Sequence, residues 1–141
     1  MVTFEGKWKY QSYRPEPGSV ASEPTAPTFV RWSPPGLVSV DQGGTTGTLE
    51  FVGTPLKLDL TILVTDAALG RLSVSAVMKL PSGKLFTNEL QGCFVPSKLG
   101  QEIGKDNPLV VRGCIVQTSA DIAPAAAQPI FTTGFFVLEP C

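Results

Sequence analysis

The stretch Phe4-Glu5-Gly6-Lys7-Trp8-Lys9-Tyr10-Gln11-Ser12 alternates: its even positions are uncharged and its odd positions are Glu, Lys, Lys and Gln. Successive side chains on a strand point to opposite faces, so this period of two describes a ribbon with one dry side and one wet side. The rhythm returns along the chain, cut each time by Gly or Pro. Leu37 to Asp41 ends at Gln42-Gly43-Gly44, and Gly47 to Val52 ends at Gly53-Thr54-Pro55. Lys57 to Thr65 sets Leu58, Leu60, Ile62 and Val64 on one side. Arg71 to Leu80 does the same with Leu72, Val74, Ala76 and Met78. Pro81-Ser82-Gly83 turns the chain into Lys84 to Val95, and runs over 109–117 and 130–138 complete the set. About eight such runs with almost no helical pattern between them predict an all-β fold.

Eight strands with one apolar face each would leave two exposed edges in an open sheet, and closure removes both. Short turns between the second and sixth runs favour pairing of chain neighbours. The expectation is one domain over 1–141, an eight-stranded antiparallel meander barrel, with a two-sheet β-sandwich as the alternative. Arg14 to Gly36 holds six prolines, and a residue without an N–H cannot serve an interior ladder. Only the island Phe29-Val30-Arg31-Trp32 could pair, at an edge. The Pro-rich loop 14–36 is expected to cover the barrel mouth.

Composition narrows the chemistry. Of 141 residues, 43% are hydrophobic and 16% charged, with a net charge of −1; no basic stripe exists to track a phosphate backbone, so nucleic acid is not an expected partner. The chain has no histidine, which removes Ser-His-Asp and Cys-His catalysis and the usual zinc and non-haem iron sites. Neither a metal nor a cofactor is expected, and no phosphate loop or nucleotide fingerprint occurs. No apolar run reaches the length of a membrane span. Met1 to Gly6 lacks the pattern of a signal peptide, and three cysteines do not suit a secreted disulfide framework. A cytoplasmic protein is the expectation.

Gln91-Gly92-Cys93-Phe94-Val95 is echoed by Arg112-Gly113-Cys114-Ile115-Val116 across a polar loop. A symmetric hairpin there would set Cys93 opposite Cys114. Free buried thiols are the first reading of that pair, ahead of a strained cross-strand disulfide or a catalytic thiolate. Cys141 is terminal and could link two chains on oxidation. Gly6, Gly47, Gly92, Gly113 and Gly134 fall inside strands, where glycine permits the sharp bends of barrel corners.

Gly6-Lys7-Trp8 resembles the Gly-x-Trp signature of the calycins, the lipocalin and avidin barrels. The resemblance implies an eight-stranded meander barrel in which Trp8 closes one end and the interior holds a small apolar ligand. The basic residue that lipocalins place near the last strand has no counterpart in 130–141, and the later tryptophans of avidin biotin pockets are missing, so no biotin-binding residue carries over.

Candidate ligand-binding residues follow from the faces. Trp8, Tyr10 and Ser12 share the dry side of the first strand, and the hydroxyls of the last two need partners, from the opposite wall or from a guest. Phe51, Met78 and Phe86 supply apolar lining alongside Leu49, Leu60, Ile62, Val74 and Leu90. Asn88 shares a face with Phe86 and Leu90, which makes it the best candidate for an inward polar group. Arg112 binds a carboxylate if its face is interior and decorates the outside otherwise; both faces of 109–117 are apolar enough to leave that open. Glu50, Asp59 and Glu89 lie on the polar sides of their runs and face solvent. The leading functional expectation is a barrel that binds an apolar small molecule. The alternatives are a cofactor-free isomerase or cyclase working in the same cavity, and a structural or homo-oligomeric β module with a filled core.

Overall fold

The computed structural model of the protein describes residues 4–15, 29–66, 70–119 and 133–141, without the side chains of 64–66. Among them the chain forms strands and no helix: β1 (Gly6–Pro15), β2 (Phe29–Arg31), β3 (Gly36–Val40), β4 (Thr46–Phe51), β5 (Lys57–Asp66), β6 (Arg71–Lys79), β7 (Leu85–Pro96), β8 (Leu109–Gln117) and β9 (Thr133–Pro140). The alternating runs sit inside these strands to within a residue or two. The last strand is described from Thr133, so 130–132, like 16–28 of the Pro-rich loop, lie outside the described residues.

Strands β3 to β9 pair in chain order, every pair antiparallel, and β1 pairs with both β3 and β9. That last ladder, from Trp8↔Pro140 to Tyr13↔Phe135, closes the sheet. The result is an eight-stranded antiparallel barrel with β2 as an extra strand, a single closed sheet in place of the two of a sandwich. β2 pairs only with the end of β1, Tyr13↔Arg31 to Pro15↔Phe29, as the island at 29–32 leads one to expect.

The dry faces turn inward. Trp8, Tyr10, Val38, Leu49, Leu60, Ile62, Val74, Leu90, Ile115, Phe136 and Leu138 are all buried, while Glu50, Asp59 and Glu89 are exposed. Burial also decides β8: Val111, Ile115 and Gln117 face in, and Arg112 and Cys114 face out.

Along the barrel axis the side chains meet. The space left among Tyr10, Val38, Leu49, Leu60, Leu90 and Phe136 is about 20 Å3, room for about one water. The apolar interior expected to hold a ligand is therefore filled along the axis by its own lining. One end is shut by three aromatic rings: Phe4 and Trp8 lie 5.2 Å apart, and Phe94 closes on them at 6.0 and 6.2 Å. The Trp8 indole N–H donates to the Glu5 carbonyl at 3.1 Å, so the polar edge of the plug is paired.

The β7–β8 hairpin differs from the symmetric expectation by two residues. Gly92 stands opposite Gly113, and Cys93 stands opposite Arg112. A slip of two keeps every side chain on its own face. The loop sets the register: Asn107, 4% exposed, accepts from Lys98 N at 2.6 Å and donates to the carbonyls of Lys98, Gln101 and Glu102. Cys93 and Cys114 are free thiols on the outer wall, half-buried and exposed in turn, rather than a buried pair.

Candidate functional site

Among the described residues the end opposite the aromatic plug is open. There β1, β4, β6 and β8 finish, and β3, β5, β7 and β9 begin. Its lip is made by a local mismatch. Between Tyr10↔Gly36 and Tyr13↔Arg31, two residues of β1, Gln11 and Ser12, face four of the partner, Trp32 to Pro35. The Pro34-Pro35 pair cannot continue the ladder, and the surplus bulges over the mouth. Three hydrogen bonds hold it: Trp32 N donates to Ser12 O at 3.0 Å, Gln11 Nε2 to Ser33 O at 2.9 Å, and Val52 N to Pro35 O at 2.9 Å. A Cβ on Gly134 would come within 3.0 Å of the Trp32 ring, so the indole rests on that bare stretch of β9.

Beneath the lip lies a cavity of about 200 Å3, lined by Tyr10, Ser12, Trp32, Ser33, Pro34, Phe51, Leu56, Phe86, Asn88 and Ile115. Tyr10 is its floor, near-parallel to Phe136 at 6.4 Å and edge-on to Phe51 at 6.2 Å. Among the described residues no charged side chain lines the cavity.

The polar groups divide into two kinds. Ser12 Oγ lies 3.2 Å from Ser33 Oγ, Ser33 Oγ donates to the Pro34 carbonyl at 3.0 Å, and the Tyr10 and Ser12 side chains are hydrogen-bonded. Because a carbonyl can only accept, Ser33 gives its proton to Pro34, and Ser12 donates to Ser33. These hydroxyls are partnered within the wall. Asn88 is different. Its side chain is buried, 7% exposed, and no hydrogen bond joins its carboxamide to another described residue. Directly across the ladder is Gln117, 1% exposed, whose Nε2 donates to Ser119 O at 2.6 Å. Asn88 is thus the polar group that the wall leaves facing the cavity.

Five of the eight residues expected from the sequence meet here: Tyr10, Ser12, Phe51, Phe86 and Asn88. Trp8 belongs to the plug at the far end. Met78 packs partly buried on the core opposite Phe86 and does not line the cavity. Arg112 is exposed on the outer wall, where its guanidinium donates to Ser97 O at 3.2 Å. Trp32 and Ser33 are additions, and only their place beside Pro34-Pro35 marks them in the sequence. A larger furrow, about 660 Å3, runs outside the barrel past Lys9, Arg112, Glu139 and the stacked rings of Tyr13 and Phe135. We place the candidate site at the mouth because buried polar groups and an apolar wall converge there.

The chain matches no protein-family model, no curated protein and no solved structure. The function is therefore argued from this geometry alone. Among the described residues no group of three or more acidic or thiol side chains is placed to hold a metal ion, and no helix is long and apolar enough to cross a membrane.

Burial pushes the Tyr10 phenol up to about 12, while the hydrogen bond to Ser12 pulls weakly the other way. Below pH 10 both folded and unfolded chains keep this proton, and the group is neutral to stability. Between about pH 10 and 12 the unfolded chain releases it and the folded chain does not, so stability falls as pH rises. The expected loss reaches roughly 2–3 kcal/mol by pH 12. A phenolate absorbance titration should show one of the two tyrosines delayed, and Tyr10→Phe should abolish the delayed step. Two tyrosines ionising together near pH 10 would contradict the burial of this ring.

Proposed function

We propose that the protein binds a small, largely apolar molecule at the open end of the barrel. The supporting observation is the mouth cavity itself. In a barrel filled along its axis, it is the place where a partly apolar wall and the Asn88 carboxamide, which has no hydrogen-bond partner among the described residues, share a volume fit for a guest. An apolar cavity of about 150 Å3 holds benzene, so about 200 Å3 suits one or two rings. Binding would draw on burial of apolar surface, at roughly 25 cal/mol per Å2, with Asn88 orienting the guest. The calycin-like reading belongs to this proposal: Gly6-Lys7-Trp8 opens the first strand, and Trp8 stands in the closed end while the other end receives ligand.

Fluorescence of the neutral two-ring dye α-naphthylamine should rise on addition of the purified protein. It should rise much less with Ile115→Phe, which adds bulk to the cavity lining. Native mass spectrometry of freshly purified protein would reveal a retained guest. A dye that stays dark with the folded protein would count against the mouth as a binding site.

A further inference from the structure

We infer that the ligand of the mouth is a neutral, flat ring compound carrying a hydrogen-bond donor and an acceptor side by side, as a lactam does. The inference rests on the proposed binding site and narrows it to a chemical class. A carboxamide offers one N–H edge and one carbonyl edge in a plane. Its full complement is a group that offers the reverse pair in the same plane.

Three observations select this class. The first is that Asn88 is more than nine-tenths buried, lines the cavity and has no hydrogen-bond partner among the described residues. A guest that satisfies both of its edges replaces the bonds that water would make; a hydrocarbon leaves them unmade. Next, the hydroxyls of Ser12 and Ser33 spend their protons along the wall, ending on the Pro34 carbonyl, so they do not compete to donate to the guest. Last, no charged side chain among the described residues lines the cavity. An ionised guest would shed its hydration with no counter-charge beside it. The aromatic sides of Tyr10, Trp32, Phe51 and Phe86 suit a flat ring rather than a bulky cage.

Arg14 supplies the contest. It stands two residues beyond Ser12 on the same face of β1, is half-buried, and its Nε is buried with no hydrogen-bond partner among the described residues. If the guest extends that far, a carboxylate is the chemistry that Arg14 would recognise, and the test must let that outcome appear.

The probes are three two-ring molecules of matched size: carbostyril (a lactam), naphthalene and naphthoate. Each is titrated at neutral pH into the full-length protein and into Asn88→Leu, with binding read by saturation-transfer NMR and Trp fluorescence. Carbostyril is expected to bind at least about tenfold more tightly than naphthalene. Asn88→Leu should erase that preference while leaving naphthalene binding equal or stronger, and naphthoate should bind weakest. Should the variant not fold, the side-chain amide protons of Asn88 in the unaltered protein serve instead, and they should shift on adding carbostyril and not on adding naphthalene. Equal binding of carbostyril and naphthalene, or no shift at Asn88, overturns the lactam class while the mouth site stands. Naphthoate binding tightest overturns it in favour of Arg14. Failure of all three probes overturns the mouth site itself.

Discussion

Gly113→Ala is expected to lower the melting temperature by roughly 10–15 °C, or to prevent folding. A Cβ at this position would overlap the Gln91 carbonyl oxygen and come within 2.5 Å of the Gly92 Cα. Both obstacles are backbone, so no rotamer change relieves them. β7 and β8 would have to move apart in the middle of their ladder, which runs from Asn88↔Gln117 to Pro96↔Leu109. An open sheet could absorb that by splaying at an edge, but a closed barrel passes the displacement on to its neighbours. Overpacking of this kind costs about 3–5 kcal/mol, and at this chain length each kcal/mol shifts the midpoint by about 3 °C. Gly104→Ala is the matched control, since a Cβ there meets nothing within 4 Å; its effect should stay within about 0.5 kcal/mol. Thermal melts followed by circular dichroism decide the matter. A Gly113→Ala protein melting within a couple of degrees of the original would mean that β7 and β8 are not in this register.

Phe136→Ala comes second in size. This ring is fully buried, stands opposite Gly113 across the β8–β9 ladder, and would lie 3.0 Å from a Cβ on Gly92. The ring occupies part of the space that the missing side chain of Gly92 leaves. Truncation should cost about 3–5 kcal/mol, seen as a lower denaturant midpoint with an unchanged slope. It should also turn the filled axis into a dry cavity large enough for benzene. Benzene is then expected to raise the melting temperature of the variant more than that of the original. An equal response from both proteins would show that the core had collapsed into the gap or was never tightly filled.

The glycines also mark the limit of what a linear reading can reach. The echo of Gln91-Gly92-Cys93 in Arg112-Gly113-Cys114 draws the eye to the cysteines, and a symmetric hairpin pairs them. In the folded chain the glycines pair instead, because only there can two strands pass so closely, and because Asn107 ties the loop into a shape that slips the register by two. Nothing about Asn107 in sequence distinguishes it from the polar residues around it. Its four hydrogen bonds exist only once the loop has closed.

The site divides in the same way. Tyr10, Ser12, Phe51, Phe86 and Asn88 can be picked out beforehand, since each is an inward position on an alternating run and three of them are polar or carry a polar tip. Trp8 can be picked out as well, but which end of the barrel it occupies follows from the start of β1, and that start lies at the plugged end. Arg112 was undecidable because both faces of β8 are apolar in composition; burial of Val111 and Ile115 settles its direction. Trp32 and Ser33 were out of reach, since a bulge has no period.

Alternation is a consequence of covalent geometry, repeated at every residue, so strand positions, facing and the closed all-β class could be read before any contact was known. Register, the depth to which side chains fill the axis, and the meeting of Asn88 with the hydroxyl chain of Tyr10 and Ser12 depend on residues distant in the chain and on volumes that must fit in three dimensions. No local pattern encodes a volume. That is why the apolar interior expected to hold a ligand gave way, among the described residues, to a filled axis with a partly polar hollow at the mouth.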